Sequence, residues 1–439
     1  MANKSLFEAY KNRLAVADTV YSKAHNGDKM STNRRLVTAK VLENTNKFLN
    51  EAFEQSVGTQ RSDLGLYKKF ALNLTTVALP NLISHDLVIV HPMSSMSGYI
   101  TYIQYQYASN KGATKQGTRI SDPFGFGKVD PDFTGSAVVE TIAADAEGNA
   151  PAAFVPAWTP VLEDAFVNAE QNYELKITKT DGSVVYANVA DYTPVVGDKV
   201  AYVYNNVVVP QNDLPMIKAE MKSIALVAKA RRIAIYYSQI AAYQAKTDYG
   251  VDLGDQLAEK AVGELSYEID VEVTNLINKT AGEADTELVW SKTLPVGVSK
   301  AEHYEGFTEI LEIAKQKIYD RTQKFAPNYA IVASNLLPVI GVCKGWHAAP
   351  AGTINGPYFA GTLNNLKIFV TPTFEKGRFV IGVNGNDMMS SVAVYAPYMV
   401  VCPTQLLGYA DGGMSQGWST MYALEVLNPN LVIAGQLTA

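Results

Sequence analysis

The sequence predicts an α+β chain with a small β-rich domain inserted into a long hairpin, and three observations predict it. Two long apolar stripes at helical spacing fill the second half, four short apolar strands follow them, and an acidic, turn-rich stretch interrupts two alternating strands. With 439 residues, 47% of them apolar, the chain has length for two or three domains and material for sizeable cores.

The chain opens helically. Leu6, Tyr10, Leu14, Ala17 and Tyr21 recur at three- and four-residue spacing on one face, and Gly27 is a stop. A second amphipathic run, 31 to 55, begins at a Ser-Thr cap and aligns Val41, Thr45, Phe48 and Ala52. Two readings stand for these helices: packed on their own domain, or an arm on a neighbour. Residues 56 to 69 are a polar connector. Pro80 and Asn81 break the chain, Leu87 to Val90 is an apolar run of buried-strand type, and Pro92 closes it. Tyr99 to Tyr107 mixes tyrosine with β-branched residues and reads as a strand. From Ala108 to Gly135 there is no periodicity, only five glycines and the cations Lys111, Lys115, Arg119 and Lys128. A structureless loop of that length is functional or reaches outside its domain, and the reading here is an arm for a neighbouring subunit.

Residues 131 to 209 read as a self-contained module. Glu174 to Thr178, Ser183 to Ala187 and Val200 to Tyr204 are short strands, with turns at Asp181-Gly182 and Pro194 to Asp198. After Pro215 the alternation of Ile217, Ala219, Met221 and Ser223 with Lys218, Glu220 and Lys222 marks the returning strand. The period turns helical near Tyr236. Asp252 caps the longest helix, whose stripe runs Leu253, Leu257, Ala261, Leu265, Ile269, Val273, Leu276. A second helix from Ala301 to Phe325 uses Phe307, Leu311, Ala314 and Ile318. Tyr329 to Ala333, Leu366 to Thr371, Phe379 to Val383 and Val392 to Val401 are apolar strands, with a helix at Asn335 to Val342 between the first two.

Several segments, in order, resemble the major capsid proteins of tailed bacteriophages, above all the T-even-like head protein family. Leu79-Pro80-Asn81-Leu82-Ile83 ending in His91-Pro92-Met93 resembles the lead-in to that family's extended loop, and Tyr249-Gly250-Val251-Asp252 with the following helix resembles its paired helices. Phe359-Ala360-Gly361-Thr362-Leu363-Asn364 is similar to its axial domain. Val394-Tyr395-Ala396-Pro397-Tyr398 looks like its last axial strand, with Ala396 where the family usually has cysteine. The match covers most of 64 to 439; 131 to 209 has no counterpart.

The resemblance implies the tailed-phage capsid fold with an inserted β-rich domain. It divides the chain into an N-terminal helical arm (1–63), the start of a peripheral domain and the outgoing E-loop strand (64–107), the E-loop (108–130), the inserted acidic domain (131–209) and the returning strand (210–235). The peripheral domain with its spine helices (236–328), the axial domain (329–401) and a C-terminal part shared by both (402–439) complete it. The implied function is a structural subunit that self-assembles as hexamers and pentamers into an icosahedral head around double-stranded DNA. Scaffold, portal and decoration proteins are the implied partners, the virion capsid the location and the host cytoplasm the place of assembly. Tyr105, Lys111, Lys115, Arg119, Phe124, Phe126, Trp346 and Tyr358 are the expected inter-subunit contacts, the last two flanking the loop Lys344 to Tyr358 where axial tips meet. Some shells of this fold join a loop lysine to a neighbour's asparagine; the T-even-like relatives do not, and Lys111 and Lys115 are expected to be solvated charges. Those relatives trim their N-termini after leucine-X-glutamate. Leu49-Asn50-Glu51 fits that pattern, and the expectation here is a mature subunit that is not cleaved. An encapsulin-type cellular compartment shares the fold and is the alternative, which the acidic insertion and the T-even-like segments disfavour.

Composition agrees with a shell subunit. No apolar run approaches the roughly 18 to 20 residues that span a bilayer, and residues 1 to 11 lack the apolar core of a signal peptide. Cys343 and Cys402 are expected to be buried free thiols. The 25 tyrosines suit a chain with large partner surfaces. Of the net charge of −6, residues 1 to 62 carry +4 and residues 131 to 209 carry −8. An acidic chain adsorbs DNA weakly, as a packed shell requires.

Catalytic and cofactor chemistry is not expected. Gly125-Phe126-Gly127-Lys128 lacks the spacing and the following Ser or Thr of a phosphate-binding loop. Cys343 and His347 are one possible ligand pair where zinc needs three or four ligands. His85, Asp86 and Ser94 could suggest a hydrolase, yet the serine has no nucleophile elbow. Glu264, Glu268 and Glu272 share a helix face, where a solvated outer surface is the ordinary explanation.

Overall fold

The computed structural model describes residues 2–24, 29–54, 72–73, 75–79, 82–108, 117, 140–142, 173–181, 183–187, 193–204, 216–349, 356–385, 390–404 and 406–438. In chain order its helices are α1 (Ala2–Ala9), α2 (Lys11–Ala24), α3 (Thr32–Glu54), α4 (Ser84–Leu87), α5 (Gln239–Tyr249), α6 (Leu253–Ala281), α7 (Lys300–Thr322) and α8 (Leu337–Ile340). The first strands are β1 (Ile89–Val90), β2 (Ser97–Tyr107), β3 (Glu140–Thr141), β4 (Tyr173–Thr178), β5 (Val184–Ala187), β6 (Lys199–Tyr204), β7 (Ile217–Val227), β8 (Lys229–Ser238) and β9 (Val289–Ser291). The others are β10 (Tyr329–Ala333), β11 (Trp346–Ala348), β12 (Tyr358–Leu363), β13 (Leu366–Thr371), β14 (Arg378–Gly382), β15 (Ala393–Pro403), β16 (Leu407–Gly408), β17 (Gly413–Val426) and β18 (Val432–Thr438). They form two compact units, residues 1–100 with 223–439, and residues 101–222.

The larger unit holds two sheets. One runs β11-β12-β13-β10-β14-β18-β9; the other joins β1, β15, β17 and β16, with β8 also on β17. The capped helices are legible residue by residue. Ser299 and Glu302 make a reciprocal capping box at the start of α7, and Asp252 accepts from the Gly254 N–H at the start of α6. On α6 the buried stripe is Ala258, Ala261, Leu265, Ile269, Val273 and Ile277, so the seam ends on Ile277 with Leu276 half-buried beside it. It meets Phe307, Leu311, Ala314 and Ile318 of α7 in one core, where Phe307 packs edge-on against Phe379 at 5.4 Å. Both cysteines are free and buried.

The described elements bear on three sequence expectations. The strand read at Val392 to Val401 forms as β15, which pairs with β17 and β1 and not with the β10–β13–β14 sheet, the pairs Val394–Glu425 and Ile89–Val394 holding it on both edges. The first helix is two, α1 and α2, divided at Tyr10. Third, α3 packs against β15 of its own chain, the first of the two readings left open for it. The buried side chain of Asn44 holds it there, donating to the carbonyls of Met93 at 2.6 Å and Tyr398 at 3.1 Å.

In the smaller unit, β3-β6-β4-β5 form a four-stranded antiparallel sheet. The turn between β4 and β5 is closed by Asp181, which accepts from the backbone N–H and hydroxyl of Ser183. Gly197 is left-handed, φ 91°, at the expected second turn, and a side chain there would meet Thr180 at 2.8 Å. β2 and β7 pair as a two-stranded ribbon.

Candidate functional site

The ribbon carries the most unusual surface of the chain. The Ala108 N–H donates to the Met216 carbonyl and the Ala228 N–H to the Met96 carbonyl, both in one antiparallel register. That register sets Ile103 opposite Met221 and Tyr105 opposite Ala219, so within the smaller unit one face presents Thr101, Ile103, Tyr105, Ile217 and Met221, with Tyr107 of the same face buried. Met221 is 77% exposed, and Ile103, Tyr105 and Ile217 are exposed too. The opposite face is polar, with Gln106 donating to Glu220 at 3.2 Å and Glu220 held between Lys218 and Lys222. Those lysine contacts pull the Glu220 carboxyl below its usual range. The alternation that marks the returning strand thus leaves Ile217 and Met221 of its apolar side in water.

A second exposed group surrounds α5, in the larger unit. Its Ile240, Tyr243 and Tyr249 are each more than 70% exposed, and no described residue of α5 is buried. Tyr236, Leu406, Leu407 and Tyr409 are exposed as well, with Tyr236 and Tyr409 rings 6.4 Å apart.

Of the expected contact residues, Tyr105 lies on the open ribbon face. Lys111, Lys115, Arg119, Phe124 and Phe126 fall outside the described residues, as does Gly125-Phe126-Gly127-Lys128. Trp346 and Tyr358 are half-buried on adjacent strands, where Trp346 pairs with Leu363 and Tyr358 with Val370. They share a sheet edge and pack on the main core. The exposed residues of α5 were missed because their helix gives no strong stripe, and an apolar residue on a polar helix reads as ordinary core.

The catalytic candidates are used structurally. Cys343 donates its thiol to the Tyr304 carbonyl at 3.2 Å, burial raises its pKa, and His347 is exposed on β11. No cluster of three or more metal-ligating side chains occurs among the described residues. Asp86 is bound by Arg34 at 3.2 Å and Lys367 at 3.8 Å, and burial, aided by Arg34, keeps His85 neutral. Glu272 departs from the solvated-face reading, since Arg231 pairs with it and Tyr422 donates to it.

Among the described residues, Asp270 of α6 is the carboxyl pushed furthest up. Burial pushes it up to about 7, against the backbone N–H bonds of Ser84, at 3.1 Å, and Ile83, while Asp86 adds to the rise. A raised carboxyl favours the folded state fully below its unfolded value near 4, and that contribution is lost as pH rises through about 7. Asp270→Asn keeps the acceptor and removes the ionisation. It should stabilise the subunit by up to about 4 kcal/mol above pH 7 and by progressively less toward pH 4. Thermal unfolding at pH 8 and pH 4.5 checks this; an equal effect at both would refute it.

Large exposed apolar faces among the described residues are of the kind that partner surfaces present. The chain belongs to the Gp23 major capsid protein family, whose model matches residues 65–438. It is 22% identical over 404 residues to the major capsid protein of Enterobacteria phage T6, covering 82% of this chain and 78% of that protein. To that of Enterobacteria phage T4 it is 21% identical over 404 residues, covering 82% and 75%. Among solved structures it is similar to one from Microbacterium phage Oxtober96 (TM-score 0.39, 10% identity, 81% of this chain and 91% of that one). Another is the capsid of Myoviridae phage XM1 (TM-score 0.33, 10% identity, 63% and 89%). The protein is thus a structural head protein, a component of the virion capsid. No described helix is long and apolar enough to cross a membrane.

Proposed function

We propose that this subunit forms hexamers and pentamers, assisted by scaffold and portal proteins in the host cytoplasm, and closes them into an icosahedral head around double-stranded DNA. The observation that carries this reading is the open apolar face of the β2–β7 ribbon, which is costly to leave in water and is covered when a neighbouring subunit packs on it. Identical subunits joined through different patches close into rings, and large obligate interfaces hold them. Purified subunits, with scaffold supplied, should form capsomers or shells under electron microscopy; a stable monomer at high concentration under both conditions would refute assembly.

The −8 charge of residues 131–209 supports a position on the outer surface, since packed DNA repels so acidic a module, and from there it could clamp neighbours or hold a decoration protein. Its own sheet supports independence from the rest of the chain. Excision with Asp130 joined to Pro210 by a short linker should leave a folded subunit whose shells form but dissociate more readily. Loss of soluble subunit would disprove the independence, and density for the module against the DNA would disprove the position.

A further inference from the structure

The seven-stranded sheet ends laterally in β9 on one side and in β12 and β11 on the other. Each side bears an apolar feature at the same end of the strands. After β9, residues 292–299 turn at Pro295, whose carbonyl accepts from the Val298 N–H, with Gly297 left-handed at φ 90°. This turn holds Leu294, Val296 and Val298 out from the sheet; Val296 is fully exposed and Leu294 46% exposed. On the other side is a cavity of about 340 Å³ lined by Tyr267, Ser334, Leu337, Tyr358, Val370 and Pro372, together with Gly356.

Strand directions place the two at one level. β9 runs parallel to β18, β18 and β10 both run antiparallel to β14, and β10 runs parallel to β13. The chain therefore leaves β9 toward the turn at the end where β10 and β13 deliver Ser334 and Pro372 to the cavity. The four strand spacings between β9 and β13 separate them by about 19 Å. Charge is matched as well. Exposed Lys292 and Lys300 flank the turn, while exposed Glu264 and Glu268 lie close to Tyr267 on α6.

We propose that the 292–299 turn of one subunit inserts Leu294 and Val296 into the Tyr267–Leu337–Tyr358 cavity of the next copy of this chain. A projection and a recess at one level on opposite sides of the same sheet make a heterologous, head-to-tail contact, and such a contact repeats around a ring. The lysines and glutamates set the direction of approach. The inference rests on the capsid-assembly reading and assigns one lateral contact within it.

The test pairs a Val296→Glu variant with a Val296→Cys/Ser334→Cys double variant; positions 296 and 334 are both exposed, so the fold should tolerate each change. Val296→Glu should keep the circular dichroism and melting of the unmodified subunit while weakening capsomer association by about tenfold or more. Glu268→Lys with Lys292→Glu should associate better than either single change. Particles of the double-cysteine variant, oxidised and run without reductant, should give a ladder of covalent multimers absent from each single-cysteine variant. Unchanged association of Val296→Glu, or closed double-cysteine particles with no ladder, would overturn the contact and leave the shell reading intact. Failure of the unmodified chain to form any particle would remove the shell reading itself, and the contact with it.

Discussion

A subunit carrying Ile103→Lys and Met221→Glu should fold and remain monomeric. The two residues sit opposite each other on the open ribbon face, 46% and 77% exposed, so charging them disturbs little of the subunit's own packing. Surface changes of this kind usually shift stability by less than about 0.5 kcal/mol, and the new charges attract across the strands. Assembly is different. Covering an apolar side chain is worth about 1.5–3 kcal/mol, and burying a charge in its place reverses the sign. Each subunit in a ring meets the same loss, so the penalty repeats at every contact. Size-exclusion chromatography, circular dichroism and electron microscopy together decide the outcome: closed particles of normal size from the double variant would show that this face stays in water.

What the sequence disclosed depended on whether its signal was local. The α7 cap was there to be read in Ser299 and Glu302, and the α6 seam in residues recurring every three or four positions, because both follow from neighbours along the chain. Sheet membership was not local. β15 is apolar on both faces, and its alternatives differ only in which distant strand reaches it; the pairs of Val394 with Glu425 and Ile89 could not be read from the strand itself. The exposed ribbon face was half legible for a related reason. Tyr105 stood out on an alternating strand, but the exposure of Ile217 and Met221 did not, because periodicity reports that a side is apolar, not what covers it. Val296 gave no periodic signal at all, lying in a short turn between β9 and α7.

Removing residues 1–51, as cleavage after Leu49-Asn50-Glu51 would, should cost the subunit its fold. That sequence lies inside α3, with Leu49 buried against Met399, Cys402 and Met421. Upstream on the same helix Val37 and Val41 belong to the main core, and Leu42, Asn44 and Thr45 are buried. Exposing Val37, Val41, Leu42 and Leu49, each worth about 1.5–3 kcal/mol, forfeits roughly 6–12 kcal/mol, comparable to the whole stability of about 5–15 kcal/mol typical of a domain. The loss of Asn44 also strips the carbonyls of Met93 and Tyr398 of a buried donor. A protease needs several residues in extended form, and here they are helical with one side chain packed, so the folded subunit should resist cutting at this point. A chain beginning at Ala52 is expected to be insoluble or to melt far below the full-length subunit, and mass spectrometry of mature particles should find α3 intact. A soluble, assembling chain from Ala52, or particles whose subunits begin there, would mean that α3 is dispensable to the body it packs against.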